Sequence, residues 1–374
     1  ALGSVVVCFP PLGDLVVAWE CVTLSTGLTG AEHASWMRLG GDRYAVIGVG
    51  EGNPPTSVPA QVWAHVAPVD VAQWPDPLQW EVIDVLSVRG VRKWLTSLPL
   101  DVDGDGVDEV ILGSKESGFA YLLTTNPAAP LDVGQWTATN MRPSSQSTWS
   151  WVMSLEPFDA NMDGWWDVLV TDRSGKVGVL LNPGPGTAQQ QPWAWQQIAG
   201  LGSASQVRFG DTGDVNGDGV PDVAVAVKNG IRVWIRQPGA WVWATNFYGQ
   251  PGEFVGTQVK DAKIIDVTGD GIPELILNTI HMANGSTSGV AMIPYVPGMD
   301  VVSPNPTAIV ISPLGQVKYD ECKALWLQVP QEGAMYVHGK QIVLDPSGPP
   351  DLVCSGELSP RHGLWGFLNP LAGE

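Results

Sequence analysis

Four segments of the chain place oxygen-bearing side chains at the same offsets. They are DVDGDGVDEVIL from Asp101, DANMDGWWDVLV from Asp159, DVNGDGVPDVAV from Asp214 and DVTGDGIPELIL from Asp266. With each of these Asp residues as position 1, the oxygens fall at positions 1, 3, 5 and 9. The sets are Asp101, Asp103, Asp105 and Glu109; Asp159, Asn161, Asp163 and Asp167; Asp214, Asn216, Asp218 and Asp222; and Asp266, Thr268, Asp270 and Glu274. Position 7 offers a backbone carbonyl, from Val107, Trp165, Val220 and Ile272. Hard oxygen donors converging on one turn suit Ca2+, which takes six to eight of them. Gly106, Gly164, Gly219 and Gly271 at position 6 permit the sharp turn that convergence needs. Without a cation, three or four carboxylates on one turn repel one another. A single Asp/Gly turn between strands is commonplace, but four copies with one ligand spacing predict about four Ca2+ sites. An EF-hand does not fit, because the flanks read as strands and no Glu falls at position 12.

The elements that must hold these loops repeat with them. Successive loops start 58, 55 and 52 residues apart. Each is preceded by a short run (KWLTSLPL, WVMSLEPF, QVRFGDTG, AKIIDV) and followed by a Val- or Leu-rich run. A further run comes next (FAYLLTTNP, VGVLLNPG, IRVWIRQPG, GVAMIPYVPG), then a looser one that usually holds Trp (QWTATNM, PWAWQQI, AWVWATNF). Four short antiparallel strands in 50 to 60 residues make one blade of a β-propeller. A lone blade cannot bury both of its apolar faces, so blades stack in a closed ring. Degenerate copies extend the pattern at SWMRLGGDRYAVIGV from Ser35, QIVLDPSGPPDLVCSG from Gln341 and SVVVCFPPLGDLVVAW from Ser4. LQWEVIDVLS from Leu78 and AWECVTLS from Ala18 read as outer runs. The expected fold is therefore all-β, a single propeller over residues 1–374 with seven four-stranded blades. Six is the alternative count, and the N- and C-terminal strands close the ring.

Composition agrees with this and excludes other classes. The chain has 44 Gly, 31 Pro and only 15% charged residues, so order must come from packing and turns. A net charge of −19 without any basic run argues against nucleic acid, whose phosphates need clustered Lys and Arg. Four Ca2+ ions would offset eight of those charges. No run of 18 apolar residues occurs, so membrane insertion is not expected.

The strand–DxDxDGxxD/E–strand repeat resembles the FG-GAP/VCBS repeats of integrin-type propellers and of bacterial and fungal propeller lectins. The resemblance runs from about Ser35 to Asn369 and is most specific in the four loops. It implies Ca2+ in outer loops, an extracellular or surface setting, and adhesion or glycan binding. The family also includes polysaccharide lyases and viral or phage surface proteins, so it specifies the fold and metal better than the function. The copy at Asp345 has Pro in its turn and the copy at Asp42 lacks the acids, so neither is expected to hold Ca2+.

No local motif of catalysis is present: the five His residues have no zinc spacing, and no nucleophile elbow or phosphate loop occurs. His281, in IHMANGSTSG, could belong to a site assembled from distant blades, as a lyase would need. The 18 Trp exceed ordinary packing needs. Trp149/Trp151, Trp193/Trp195 and Trp241/Trp243 each point to one face of a strand, as packing or as platforms for sugar rings. Trp165 and Trp166 interrupt an exposed acidic turn and are the candidate ligand-binding residues. Cys8 and Cys21 lie near the start, Cys322 and Cys354 near the end. Ring closure would bring the pairs together, as in a Cys8–Cys354 bridge; four cysteines allow three pairings, and four buried thiols are the alternative. The expected function is a non-enzymatic, secreted or surface-displayed module that binds carbohydrate or a surface protein. A structural or receptor-binding part of a virion or fibre, within a higher assembly, and a polysaccharide lyase are the alternatives.

Overall fold

A computed structural model describes residues 2–9, 20–52, 59–88, 93–115, 120–141, 149–237, 243–249, 257–280, 288–294, 302–303, 309–311, 319–325, 335–337, 340–342, 351–356 and 363–367. The chain is all-β, and among the described residues the only helical segments are short 3-10 turns. Two compact units form. One is Ala1–Asp172 with Gly178–Gln197 and Val329–Ile342; the other is Arg173–Val177 with Ile198–Gln328 and Val343–Glu374.

In the first unit, four-stranded antiparallel sheets follow one another in the chain. The first joins Ala31–Arg38, Tyr44–Gly50, Gln61–Val66 and Glu81–Asp84 in sequence order. The second joins Trp94–Leu100, Glu109–Ser114, Ala120–Thr124 and Thr137–Asn140. The third joins Val152–Phe158, Asp167–Asp172, Lys176–Leu181 and Ala194–Gly200, of which 176–177 and 198–200 fall outside this unit. In the second unit, Gly210–Gly213, Asp222–Val227, Gly230–Arg236 and Trp243–Gly249 repeat the plan, with the two-residue strand Val302–Ser303 added in parallel at the edge. Gln258–Ile265, Glu274–Ile280, Val290–Ile293 and Ile309–Val310 repeat it again. A three-stranded sheet of Tyr319–Leu325, Asp351–Gly356 and Gly363–Phe367 follows.

The sequence explains these layers. The second strand of each acidic repeat is buried along its whole length: EVILGS, DVLVTD, DVAVAV and ELILNTI. A strand covered on both faces reads as a near-continuous apolar run, not as an alternation. The fourth strands TATN and AWQQIAG bury no residue and are exposed or half-exposed throughout, as suits edge strands. Four of the five first strands, all but Gly210–Gly213, have a register break near their start, at Ala31/His33, Trp94/Thr96, Val152/Ser154 and Val259/Asp261. Such bulges add local twist. Their recurrence marks the Ala31–Asp84 sheet as the same structural repeat, although its turn carries no acidic loop.

The strand–turn–strand reading from Ser35 and the outer run from Leu78 correspond to observed strands. The run from Ala18 does not serve as an outer strand. Instead, Glu20–Thr29 pairs with Leu2–Phe9 in a two-stranded hairpin sheet, and Cys8 stands opposite Cys21. These two form a disulfide, with Cα atoms 4.0 Å apart. The expected Cys8–Cys354 bridge is therefore replaced by a local one, because the hairpin register brings Cys8 to a partner 13 residues away. Cys322 and Cys354 stand opposite each other in the Tyr319–Leu325/Asp351–Gly356 register. The turn at Asp345 lies outside the described residues.

Most of the Trp excess is structural. The pattern D-x-x-Q-W occurs at Asp70–Trp74, Asp76–Trp80 and Asp132–Trp136. In each copy the Asp carboxylate caps a 3-10 turn by accepting the N–H two residues on. The Trp then folds inward, and its indole N–H donates to a backbone carbonyl six residues earlier, that of Pro68, Trp74 or Pro130. Trp149 and Trp193 are also buried, and the Trp149 and Trp195 rings meet edge-on at 5.0 Å. Trp151 lies under the Lys115 ammonium. These pairs pack; the side chains of Trp241 and Trp243 lie outside the described residues.

Candidate metal centre

Each acidic loop is an eight-residue connection enclosed by the same backbone pair: Leu100 with Glu109, Phe158 with Asp167, Gly213 with Asp222 and Ile265 with Glu274. Position 9 is thus the first residue of the buried second strand. Its carboxylate turns back to accept the N–H of position 2, from Val102, Ala160, Val215 and Val267, at 3.2, 3.0, 3.0 and 3.0 Å. The position-1 carboxylate folds over the turn. Asp101 accepts from the N–H groups of Gly104, Asp105 and Gly106, and Asp214 from Gly217, Asp218 and Gly219. Asp159 and Asp266 accept two such N–H groups each. Position 5 accepts from the N–H of position 7 at 2.8 to 2.9 Å in all four loops. Those donors are Val107, Trp165, Val220 and Ile272, the residues whose carbonyls were expected to face the ion.

Two residues of each loop are left-handed. Position 6 is the expected Gly; position 4 is the second, with φ of 78°, 62°, 76° and 72° at Gly104, Met162, Gly217 and Gly269. Gly at position 4 in three of the four loops is the sequence signal for it. Met162 adopts the same conformation despite its side chain, which costs roughly 1 kcal/mol or more.

The loops differ at position 3. The Asn161 and Asn216 amides donate to Asp163 and Asp218. The Thr268 hydroxyl donates to Glu274 at 3.1 Å. Asp103 has no hydrogen to give. There the donor comes from elsewhere: Gln189 Nε2 lies 3.0 Å from Asp103 Oδ2 and 2.9 Å from Glu109 Oε1.

The first loop gathers its carboxylates most closely. Oxygens of Asp101, Asp103 and Glu109 lie within 4.8 Å of one another. Ca2+–oxygen distances of about 2.3 to 2.6 Å would span that triangle. Asp103 Oδ1 is buried and has no hydrogen-bond partner, which a bound cation would supply. These three residues could hold a metal ion, and the donor set is all oxygen. Burial, then the carboxylates of Asp103, Asp105 and Asp101, push Glu109 up to about 8. Burial also raises Asp222 to about 7 and Asp167 to about 6, with their loop neighbours adding to it. Glu274 is raised for the same reasons. All four position-9 carboxylates are thus raised, and in each the first cause is burial at the start of the second strand.

Of the two candidate ligand-binding Trp residues, Trp166 is 50% exposed. Trp165 is half-buried, and its ring lies against Gly104 of the first loop and near Gly184. Trp36, outside the loops, is also exposed and stacks on Trp74 at 5.5 Å. His65 is buried between Ser25 Oγ at 2.7 Å and the Val46 carbonyl. His33 Nδ1 lies 3.0 Å from Ser97 Oγ. His281, His338 and His362 lie outside the described residues.

No helix among the described residues is long and apolar enough to cross a membrane. No curated protein sequence matches the chain. Among solved structures, the crystal structure of the V. cholerae biofilm matrix protein Bap1 is similar over 70% of this chain and 37% of its own, at 16% identity and a TM-score of 0.41. The chain therefore spans little more than a third of that protein's length. Residues 214–277, which contain the third and fourth acidic loops, match the model of a family described as FG-GAP-like repeat.

Proposed function

We propose that the chain is a calcium-stabilised β-propeller of the surface or adhesion type, whose four-stranded sheets are its blades. The observation that carries this reading is the recurrence of one hydrogen-bonded acidic loop, in one register, at four sheet hairpins. The FG-GAP-like match over two of those loops supports it. Calcium sits in each loop as a turn staple: it replaces carboxylate repulsion by coordination and fixes the first two strands of each blade. Four closely similar sites suit a structural role, because a catalytic metal needs an open position for water or substrate. An extracellular setting fits both calcium supply and the Cys8–Cys21 bridge.

The module binds carbohydrate or a surface protein. Exposed Trp166 favours carbohydrate, since a flat indole suits the C–H face of a sugar ring. A glycan array probed with and without EDTA tests this. Binding by the wild type, abolished by Trp166→Ala with unchanged melting temperature, is the expected result. No glycan bound under either condition would leave a protein partner as the reading. Calcium itself is tested by metal analysis of the dialysed protein, where about four ions per chain are expected.

A further inference from the structure

We propose that Gln189 is a ligand of the first-loop cation, so that this site ties the second sheet to the segment inside the third; this rests on the calcium reading above. Gln189 is 80 residues from Glu109 and 86 from Asp103, yet its carboxamide touches both carboxylates. It is delivered by an ordered turn. Ala188 is buried, its N–H donates to Gly184 O, and its own carbonyl accepts the Trp193 indole N–H. The Gln189 carbonyl accepts from Thr139 Oγ1. A second contact from the same segment grips the same loop: buried Asn182 donates to the Val102 carbonyl at 2.8 Å.

The chemistry of a carboxamide makes it suited to both states. Without metal its N–H₂ donates to the two carboxylates and takes the part that Asn161, Asn216 and Thr268 play inside their own loops. A half-turn about its last side-chain bond exchanges nitrogen for oxygen with almost no movement of the chain. The oxygen then faces the cation, as Gln carbonyls do in calcium sites. The first loop by itself offers Asp101, Asp103, Asp105, Val107 O and Glu109, and Gln189 raises that set toward the six to eight oxygens calcium takes. It adds no charge to a ligand set that already holds four acids, in a loop whose fifth, Asp108, pairs with Arg38. In the other three loops the position-9 carboxylate has no such distant side-chain donor among the described residues.

The test uses the full chain and Ca2+ in calorimetric titration, with the wild type, Gln189→Ala and Gln189→Glu. Glutamate keeps an oxygen ligand but loses the N–H donor. Gln189→Ala is expected to weaken one of the four sites by about tenfold or more. Gln189→Glu is expected to bind at that site at least as tightly as the wild type, while melting at a lower temperature in EDTA. Hydrogen exchange of residues 183–190 in the wild type should slow on adding Ca2+ and should not slow in Asp103→Asn. If Glu and Ala weaken the site equally, Gln189 acts only as a donor and the proposal fails. It fails also if both variants match the wild type. A wild type that takes up no Ca2+ overturns the calcium reading itself.

Discussion

Trp165 of the second acidic loop lies on Gly104 of the first: a Cβ added to Gly104 would stand 3.1 Å from Trp165 Cζ3. The first loop makes the matching contact one sheet earlier, where a Cβ on Gly40 would stand 3.1 Å from Val107 Cγ2. Position 7 of one loop thus covers a left-handed Gly in the turn before it, at φ of 78° and 86° respectively. Loop-to-loop packing, as well as sheet-to-sheet packing, joins successive repeats of the first unit.

That contact can be separated from backbone strain. Gly106 is also left-handed, but a Cβ there would meet nothing within 4 Å. Gly106→Ala should cost about 1 to 2 kcal/mol from strain alone. Gly104→Ala should cost more, measured by urea unfolding in EDTA, and the excess should vanish when Trp165 is also Ala. Equal costs at the two positions would mean that the Trp165 contact carries no weight.

The raised position-9 carboxylates give the metal-free protein a pH dependence of definite sign. Glu109 and Asp222 have ordinary values of 4.5 and 3.8, and in the fold they reach about 8 and about 7. The folded state therefore binds more protons than the unfolded chain between those limits, and stability falls as pH rises. The contribution is complete below about pH 4 and is lost as pH passes 7 and 8. His65, which burial lowers, acts in the opposite sense below its ordinary 6.5. The comparison is cleanest between pH 6.5 and 8. In EDTA the melting temperature should drop across that interval, and the increment gained on adding Ca2+ should grow. A melting temperature that rises with pH in EDTA would contradict the assignment.

The sequence carried the loops and their strands because both rest on local pattern: oxygens at fixed offsets, and continuous apolar runs that only a doubly covered strand needs. Gln189 could not be read this way, since its contacts reach residues 80 and 86 positions away. The buried Trp residues were legible in principle through D-x-x-Q-W, where an Asp cap and an inward indole repeat three times. The cysteine pairing was not. It depends on Leu2–Phe9 pairing with Glu20–Thr29 in the register that sets Cys8 opposite Cys21, which no local spacing or apolar pattern specifies.

Local pairing changes what the cysteines are expected to do. Unreduced, denatured protein should show no free thiol at Cys8 or Cys21, and peptide mapping should recover that pair. A loop of this length is worth about 3 kcal/mol in the chain-entropy account. Cys8→Ser with Cys21→Ser should cost about that much. The register that sets Cys322 opposite Cys354 predicts a second local bridge in the mapping. A Cys8–Cys354 peptide would refute both pairings at once.

Asp214 does two jobs that one substitution cannot distinguish and a pair of substitutions can. Its carboxylate accepts the N–H groups of Gly217, Asp218 and Gly219 at 2.8, 3.0 and 2.6 Å, and it is position 1 of the proposed third calcium site. Asp214→Ala removes acceptor and ligand charge together. The freed N–H groups are in an exposed turn and regain water, so the cost in EDTA should be about 2 kcal/mol, not the sum of three buried bonds. Asp214→Asn keeps one oxygen to accept from the turn but removes the charge, so in EDTA it should lie within about 1 kcal/mol of the wild type. In Ca2+ the two variants should converge. Each should bind one ion fewer by metal analysis, and each should show a smaller rise in melting temperature with calcium, since ligand linkage stabilises only through sites that bind. If Asp214→Asn retained the full calcium count, the third loop would be a hydrogen-bonded turn and not a metal site.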